Sequence, residues 1–203
     1  MPNIIKNNII LDGKVHNSKA IDIIKNKSQL EKMSKAYLEY LAYFNFKEKF
    51  ATDKAPLNFR WIGFIKLIFP DAKIIHCQRE PKNNCLSLYK NFFEGGLNFT
   101  YDEQDIIEYH KAYMRLMSFW SSKKNHNILN VSYEDLINNN DAKIREIINY
   151  CGLDWEESCL LFYKNKNPIK TMSTAQARKP IYKSSLNIFD KYKNYLKSID
   201  NSF

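Results

Sequence analysis

Arg79 is the residue on which any chemistry in this chain would turn. It follows an apolar-rich run, residues 72–78, that reads as a strand buried on both faces, as in a parallel sheet. Ligands collect at the carboxyl edge of open α/β sheets. A guanidinium placed there holds a phosphate or sulfate through two parallel hydrogen bonds, which a lysine cannot imitate. Eight residues on, Ser87 sets a hydroxyl among Cys85, Leu86 and Leu88, within reach of the same anion. Lys54, in Thr-Asp-Lys-Ala-Pro, is read as closing a short strand over residues 46–52. A strand-end cation beside a phosphate site neutralises charge developing on a leaving oxygen. Residues 171–182 are rich in donors and lack helical or strand period, as loops that close over ligands do. In that segment Ser173, Gln176, Arg178 and Lys179 supply hydroxyl, amide and cationic groups. Each residue also has a plainer reading: a surface salt bridge for Arg79, a solvent-facing Ser87, a solvated Lys54 and an ordinary surface loop.

Other arrangements are weaker. Gly13-Lys14 lacks the first glycine and the Ser or Thr of a phosphate-binding P-loop. His76 and Cys77 lie inside the strand and read as core residues rather than a nucleophile pair. The four cysteines (Cys77, Cys85, Cys151, Cys159) show no metal-ligand spacing and are expected reduced, with no metal. Glu94, Asp53 and His110 stand as candidate bases, with no spatial argument for any of them.

The elements that must position these groups follow from periodicity and punctuation. Residues 1–14 read as irregular or weak strand. Residues 18–44 repeat apolar side chains at helical spacing and suggest one or two amphipathic helices. Residues 59–69 look helical and stop at Pro70. Pro81 opens a helix that runs to about residue 93. Residues 101–122 form a long amphipathic helix with Ile106, Tyr109, Tyr113, Leu116 and Trp120 inward. Residues 128–132 are a second short strand. Helices at about 141–151 and 155–163 flank Gly152, a C-cap, and a last helix spans about 184–197. Strands alternating with helices imply an α/β fold with a parallel sheet.

At 203 residues the chain suits one domain with a sizeable core, and 44% hydrophobic content argues against disorder. The charge of +9 comes mostly from scattered lysines, without a compact basic tract, so no nucleic-acid partner is expected. No apolar run is long enough for a bilayer and the N-terminus does not read as a signal peptide. A cytoplasmic setting without a membrane partner is the expectation.

Six blocks carry a resemblance. They are Asp-Lys-x-Pro-x-Asn-Phe at 53–59, Phe-Pro-x-Ala-Lys-Ile-Ile-His-Cys-x-Arg-x-Pro at 69–81 and Cys-Leu-Ser-x-Tyr at 85–89. Val-Ser-Tyr-Glu-Asp-Leu at 131–136, Cys-Gly-Leu-Asp-Trp at 151–155 and Ser-Thr-Ala-Gln-Ala-Arg-Lys-Pro-Ile-Tyr at 173–182 follow in order. Residues 45–195 thereby resemble the sulfotransferases that include tyrosylprotein and bacterial tetratricopeptide-linked enzymes. The resemblance implies a P-loop-NTPase-like sulfotransferase fold, a single domain over residues 1–203 with a divergent helical part at 1–44. It implies 3′-phosphoadenosine 5′-phosphosulfate as sulfonyl donor, no metal, and a small-molecule, glycan or protein acceptor. Arg79 and Ser87 would hold the 3′-phosphate, and Tyr133 and the 173–182 loop would line the nucleotide. Lys54 and Ser173 would stabilise the bridging oxygen. Residues 1–44 match neither the phosphosulfate loop nor the acidic residue after it, so an N-terminally incomplete fold is expected. The alternative is a truncated, non-catalytic nucleotide-binding or protein-interaction module of the same fold.

Overall fold

A computed structural model describes residues 10–11, 14–15, 22, 24–43, 49–93, 96–123, 127–165 and 178–203. The chain divides into two compact units, residues 1–74 with 116–127, and residues 75–115 with 128–203.

In the first unit, β1 (Ile10–Leu11) and β2 (Lys14–Val15) pair antiparallel, Ile10 opposite Val15. Helix α1 (Lys27–Tyr43) and helix α2 (Ile62–Ile68) follow, with a 3₁₀ turn (Pro56–Trp61) leading into α2. Met33 of α1 and Ile68 of α2 are buried together, with Leu30, Trp61, Phe64 and Phe69 packed around them. The Lys66 ammonium donates to the carbonyls of Pro70 (3.1 Å) and Ala72 (2.7 Å), tying the chain down where Pro70 ends the helix. Gly63 lies against the Trp120 indole, whose Nε1–H donates to the Phe59 carbonyl at 3.0 Å. Residues 49–55 are irregular, so the strand expected before Lys54 is not found over its described part. Tyr37 and Asn58 instead hydrogen-bond the Asp53 carboxylate there, at 2.9 and 3.2 Å.

The second unit contains the parallel pair, β3 (Ile74–Gln78, its first residue falling in the other unit) and β4 (Ile128–Ser132). Between them in sequence lie α3 (Pro81–Tyr89) and α4 (Glu103–Ser121). The expected α/β class is therefore observed, with a small parallel sheet in a mostly helical chain. Next come α5 (Tyr133–Asn138), α6 (Asn140–Cys151), a 3₁₀ helix (Glu157–Lys164) and α7 (Lys197–Asp200). Gly152 ends α6 at φ 71°, a left-handed cap that favours glycine.

The core of this unit joins Cys85 and Leu86 of α3, Ile106 and Ile107 of α4, and Phe189, Leu196 and Ile199 of the C-terminal segment. Three expectations change here. The run ending in Gln78 is not buried on both faces: Ile75 is 38% exposed and Cys77 is exposed, while His76 faces inward. Among the described residues the sheet has two strands, and Ile75 and Cys77 share the face opposite His76. The last helix is broken. Asn187 sits at φ 53°, a 3₁₀ turn (Ile188–Lys191) follows, and Leu196 leaves helical geometry before α7. Helix α3 stops at Tyr89, short of residue 93.

Candidate functional site

The carboxyl ends of β3 and β4 meet at one cluster. Pro81 occupies the first turn of α3, and Glu80 caps that turn. Its carboxylate accepts the N–H groups of Lys82 (3.0 Å) and Asn83 (2.8 Å) and the Asn83 amide (2.7 Å). A carboxylate at a helix N-terminus meets both unpaired donors and the positive end of the dipole. Asn83, 5% exposed, in turn accepts the Phe189 N–H at 2.9 Å, and Lys82 pairs with Asp200 at 2.6 Å. The C-terminal segment is thereby fastened to α3.

Arg79 is half-buried at the end of β3. One terminal nitrogen of its guanidinium donates to the Ser185 carbonyl at 2.6 Å, and the group lies over the Tyr133 ring with its carbon 4.9 Å from the centroid. Its Nε is buried and has no hydrogen-bond partner among the described residues. Buried donors are nearly always paired, so an unpaired one beside an aromatic face invites an acceptor from outside the chain. Beside it, Glu134 accepts the Glu80 N–H through one oxygen and the Ser132 hydroxyl through the other, both at 3.0 Å. Burial pushes the Glu134 carboxyl up. The N–H groups of Glu80 and Glu134, the Ser132 hydroxyl and the Arg79 charge outweigh that and hold it below the usual glutamate value.

The structure brings Arg79 and Tyr133 into direct contact. Ser87 is half-buried in α3, six residues past the Pro81 start and so about 9 Å along the axis. Its carbonyl accepts the Asn91 amide at 2.6 Å. Arg178 is half-buried and Lys179 exposed, while Ser173 and Gln176 lie outside the described residues. Lys54 is exposed, in the irregular stretch of the first unit, without a strand to end.

Of the candidate bases, Glu94 lies outside the described residues. Asp53 is engaged by Tyr37 and Asn58; burial pushes its carboxyl up, but those hydrogen bonds prevail and it stays below the usual aspartate range. His110 is 4% exposed, against the Tyr113 and Phe203 rings, with Asn84 Nδ2 at 3.4 Å from Nδ1. Burial lowers its pKa against the opposing charge of Glu80, which fits a packed neutral imidazole rather than an accessible base. His76 bridges Asn130 (2.7 Å from Nδ1) and the Tyr113 hydroxyl, an internal strut between sheet and α4. Among the described residues no group of three or more His, Cys, Asp or Glu could hold a metal, and no helix is long and apolar enough to cross a membrane.

Sequence reasoning missed Glu80, Glu134, Asn83 and Ser185. Glu80 left only a weak signal: it directly precedes a helix-opening proline, but the residues that favour such a cap are Ser, Thr, Asp and Asn. The others depend on which strand ends become neighbours.

The sequence profile of the sulfotransferase family matches residues 11–157. That match reaches back into the segment where the motif blocks found no likeness. An uncharacterized protein of Aquifex aeolicus (strain VF5) is 33% identical over 170 residues, covering 82% of this chain. The chain spans only 22% of the length of that relative. The matched span takes in Arg79, its capped helix and the Tyr133–Glu134 turn, and with most of the chain covered, this protein belongs to the sulfotransferase family.

Proposed function

We propose that this chain binds 3′-phosphoadenosine 5′-phosphosulfate and directs its sulfonyl group to an acceptor hydroxyl, protein tyrosine being one acceptor class. The carrying observation is Arg79, a strand-end guanidinium with a buried Nε–H that lacks an acceptor among the described residues. Its contact with the Tyr133 ring steadies the cation. A phosphate fits this donor set, and the neighbouring Glu134 carboxylate is already committed to Glu80 and Ser132. Family membership supports sulfotransfer in general. The donor and the tyrosine acceptor go beyond that membership and belong to the proposal.

The donor nucleotide supplies the activated sulfonyl group. The protein's part is positioning and charge stabilisation, as in phosphoryl transfer. Arg79 with Ser87 would fix the 3′-phosphate and Tyr133 would flank the nucleotide, joined by Gln176, Arg178 and Lys179. For Lys54 and Ser173 the proposal rests on motif position alone: each would stabilise the bridging oxygen as the sulfonyl departs. Calorimetric titration with 3′-phosphoadenosine 5′-phosphate tests the reading. Saturable binding with a clear preference over adenosine 5′-monophosphate is expected. No heat with either nucleotide refutes it and leaves a non-catalytic module of the same fold.

A further inference from the structure

We propose that Glu134 is a positioning residue for Arg79, setting the guanidinium for a 3′-phosphate through the backbone of Glu80; this rests on the nucleotide reading above. The geometry is a bridge between two strand ends. Ser132 closes β4 and caps α5 by accepting the Asp135 N–H at 3.2 Å, which orients the first turn. From that turn Glu134 reaches across to the junction of β3 and α3, where one carboxylate oxygen takes the Glu80 N–H at 3.0 Å. That N–H belongs to the peptide unit that Arg79 shares with Glu80, so holding it restricts the Arg79 backbone rotation. The Glu80 side chain is fixed from the other side by Lys82 and Asn83. Arg79 thus adjoins a residue held through both its N–H and its side chain, and its guanidinium arrives on Tyr133, the residue next to the clamp. Residues 132–134 contribute a cap, a clamp and a ring to one corner.

Reach and charge make opposite predictions here. A carboxylate beside a phosphate site repels the ligand, so charge alone would make Glu134 a hindrance. A clamp needs only an acceptor at the right distance. Glu134→Gln keeps the length and a carbonyl acceptor and removes the charge. Glu134→Asp keeps the charge and is one methylene too short to span the strands.

The experiment is calorimetric titration of wild type and both variants with 3′-phosphoadenosine 5′-phosphate and with adenosine 5′-monophosphate, with thermal unfolding of each protein. The Asp variant should bind the 3′-phosphorylated nucleotide about tenfold more weakly, the loss of one hydrogen bond to an oriented group. The Gln variant should stay within about threefold of wild type or bind more tightly, and affinity for the monophosphate should be unchanged in both. Gln bound more tightly with Asp like wild type would overturn the clamp in favour of charge repulsion, and Gln weakened with Asp like wild type would overturn it as well. Equal losses for both nucleotides, or no loss in either variant, would reduce Glu134 to a structural contact. Should Glu134→Asp fail to fold, Glu134→Ala takes its place: a loss of 3′-phosphate preference in Ala with preference retained in Gln supports the clamp, and preference retained in both, or lost in Gln at a retained melting point, overturns it. Wild type without preference between the nucleotides would bring down the 3′-phosphate reading itself, a result separable from any difference among variants.

Discussion

Asn83 offers a quantitative test of how the C-terminal segment is held on the helix that carries Ser87. Its side chain is 5% exposed and makes two bonds: Oδ1 accepts the Phe189 N–H at 2.9 Å and Nδ2 donates to Glu80 at 2.7 Å. Asn83→Ala strands a buried backbone N–H, costing about 1–3 kcal/mol, and deletes a bond to a carboxylate worth about 1.5–3 kcal/mol. Water entering the small void offsets part of this, leaving a loss of about 3 kcal/mol. In a chain of this size each kcal/mol moves the melting point about 2–4 °C, so a fall of about 6–12 °C is expected. Asn83→Asp goes further. It keeps the acceptor for Phe189 but sets a second carboxylate against Glu80, and the pair can share the bond only by holding a proton. The pair's folded pKa is therefore raised above its unfolded value. The missing stability is present below the ordinary aspartate pKa and is lost as pH rises through the raised folded value. Relative to the Ala variant measured at each pH, the Asp variant should be less stable at neutral pH and overtake it on acidification. Differential scanning fluorimetry across pH reads both effects. A melting point for Asn83→Ala within about 2 °C of wild type, or an Asp variant with no pH dependence of its own, would refute the reasoning.

Two further tests concern stability. A Cβ added at Gly63 would lie 2.7 Å from Cη2 of Trp120, and the indole cannot yield freely because its N–H is bonded to Phe59. Gly63→Ala should therefore cost about 1–3 kcal/mol in chemical denaturation, where an unconstrained helix site would gain from the same change. His110 has its pKa lowered by burial, with Glu80 opposing. The fold thus binds fewer protons than the unfolded chain, so stability should fall as pH drops through about 6.5, the unfolded value. Denaturation at neutral and mildly acid pH should show this fall in wild type and a flatter response in His110→Gln; equal slopes would disprove it.

The local logic around Arg79 was legible because it is punctuated. A run of apolar residues, an arginine and a helix-opening proline are each readable without tertiary information. The burial of β3 was not, because Ile-Ile-His-Cys has no period that separates its two faces. Only the structure shows Ile75 and Cys77 exposed while His76 meets Tyr113. The strand expected before Lys54 rests on propensity, and residues 49–55 hold irregular backbone where Asp53 gathers Tyr37 and Asn58. The last helix has a helical apolar pattern in Phe189, Leu196 and Ile199, yet Asn187 in left-handed geometry and the turn before Leu196 break it. Glu134 and Ser185 were out of reach for a different reason. Their partners are set by strand adjacency and by a segment 106 residues from Arg79, and neither leaves a local signal.

The most direct measurement is the affinity of wild type and Arg79→Ala for 3′-phosphoadenosine 5′-phosphate, each protein first shown to be folded by thermal unfolding. A charge-assisted hydrogen bond is worth about 1.5–3 kcal/mol, so the account predicts binding by wild type and a loss of about ten- to a hundredfold in the variant. Equal affinity in the two folded proteins would contradict it.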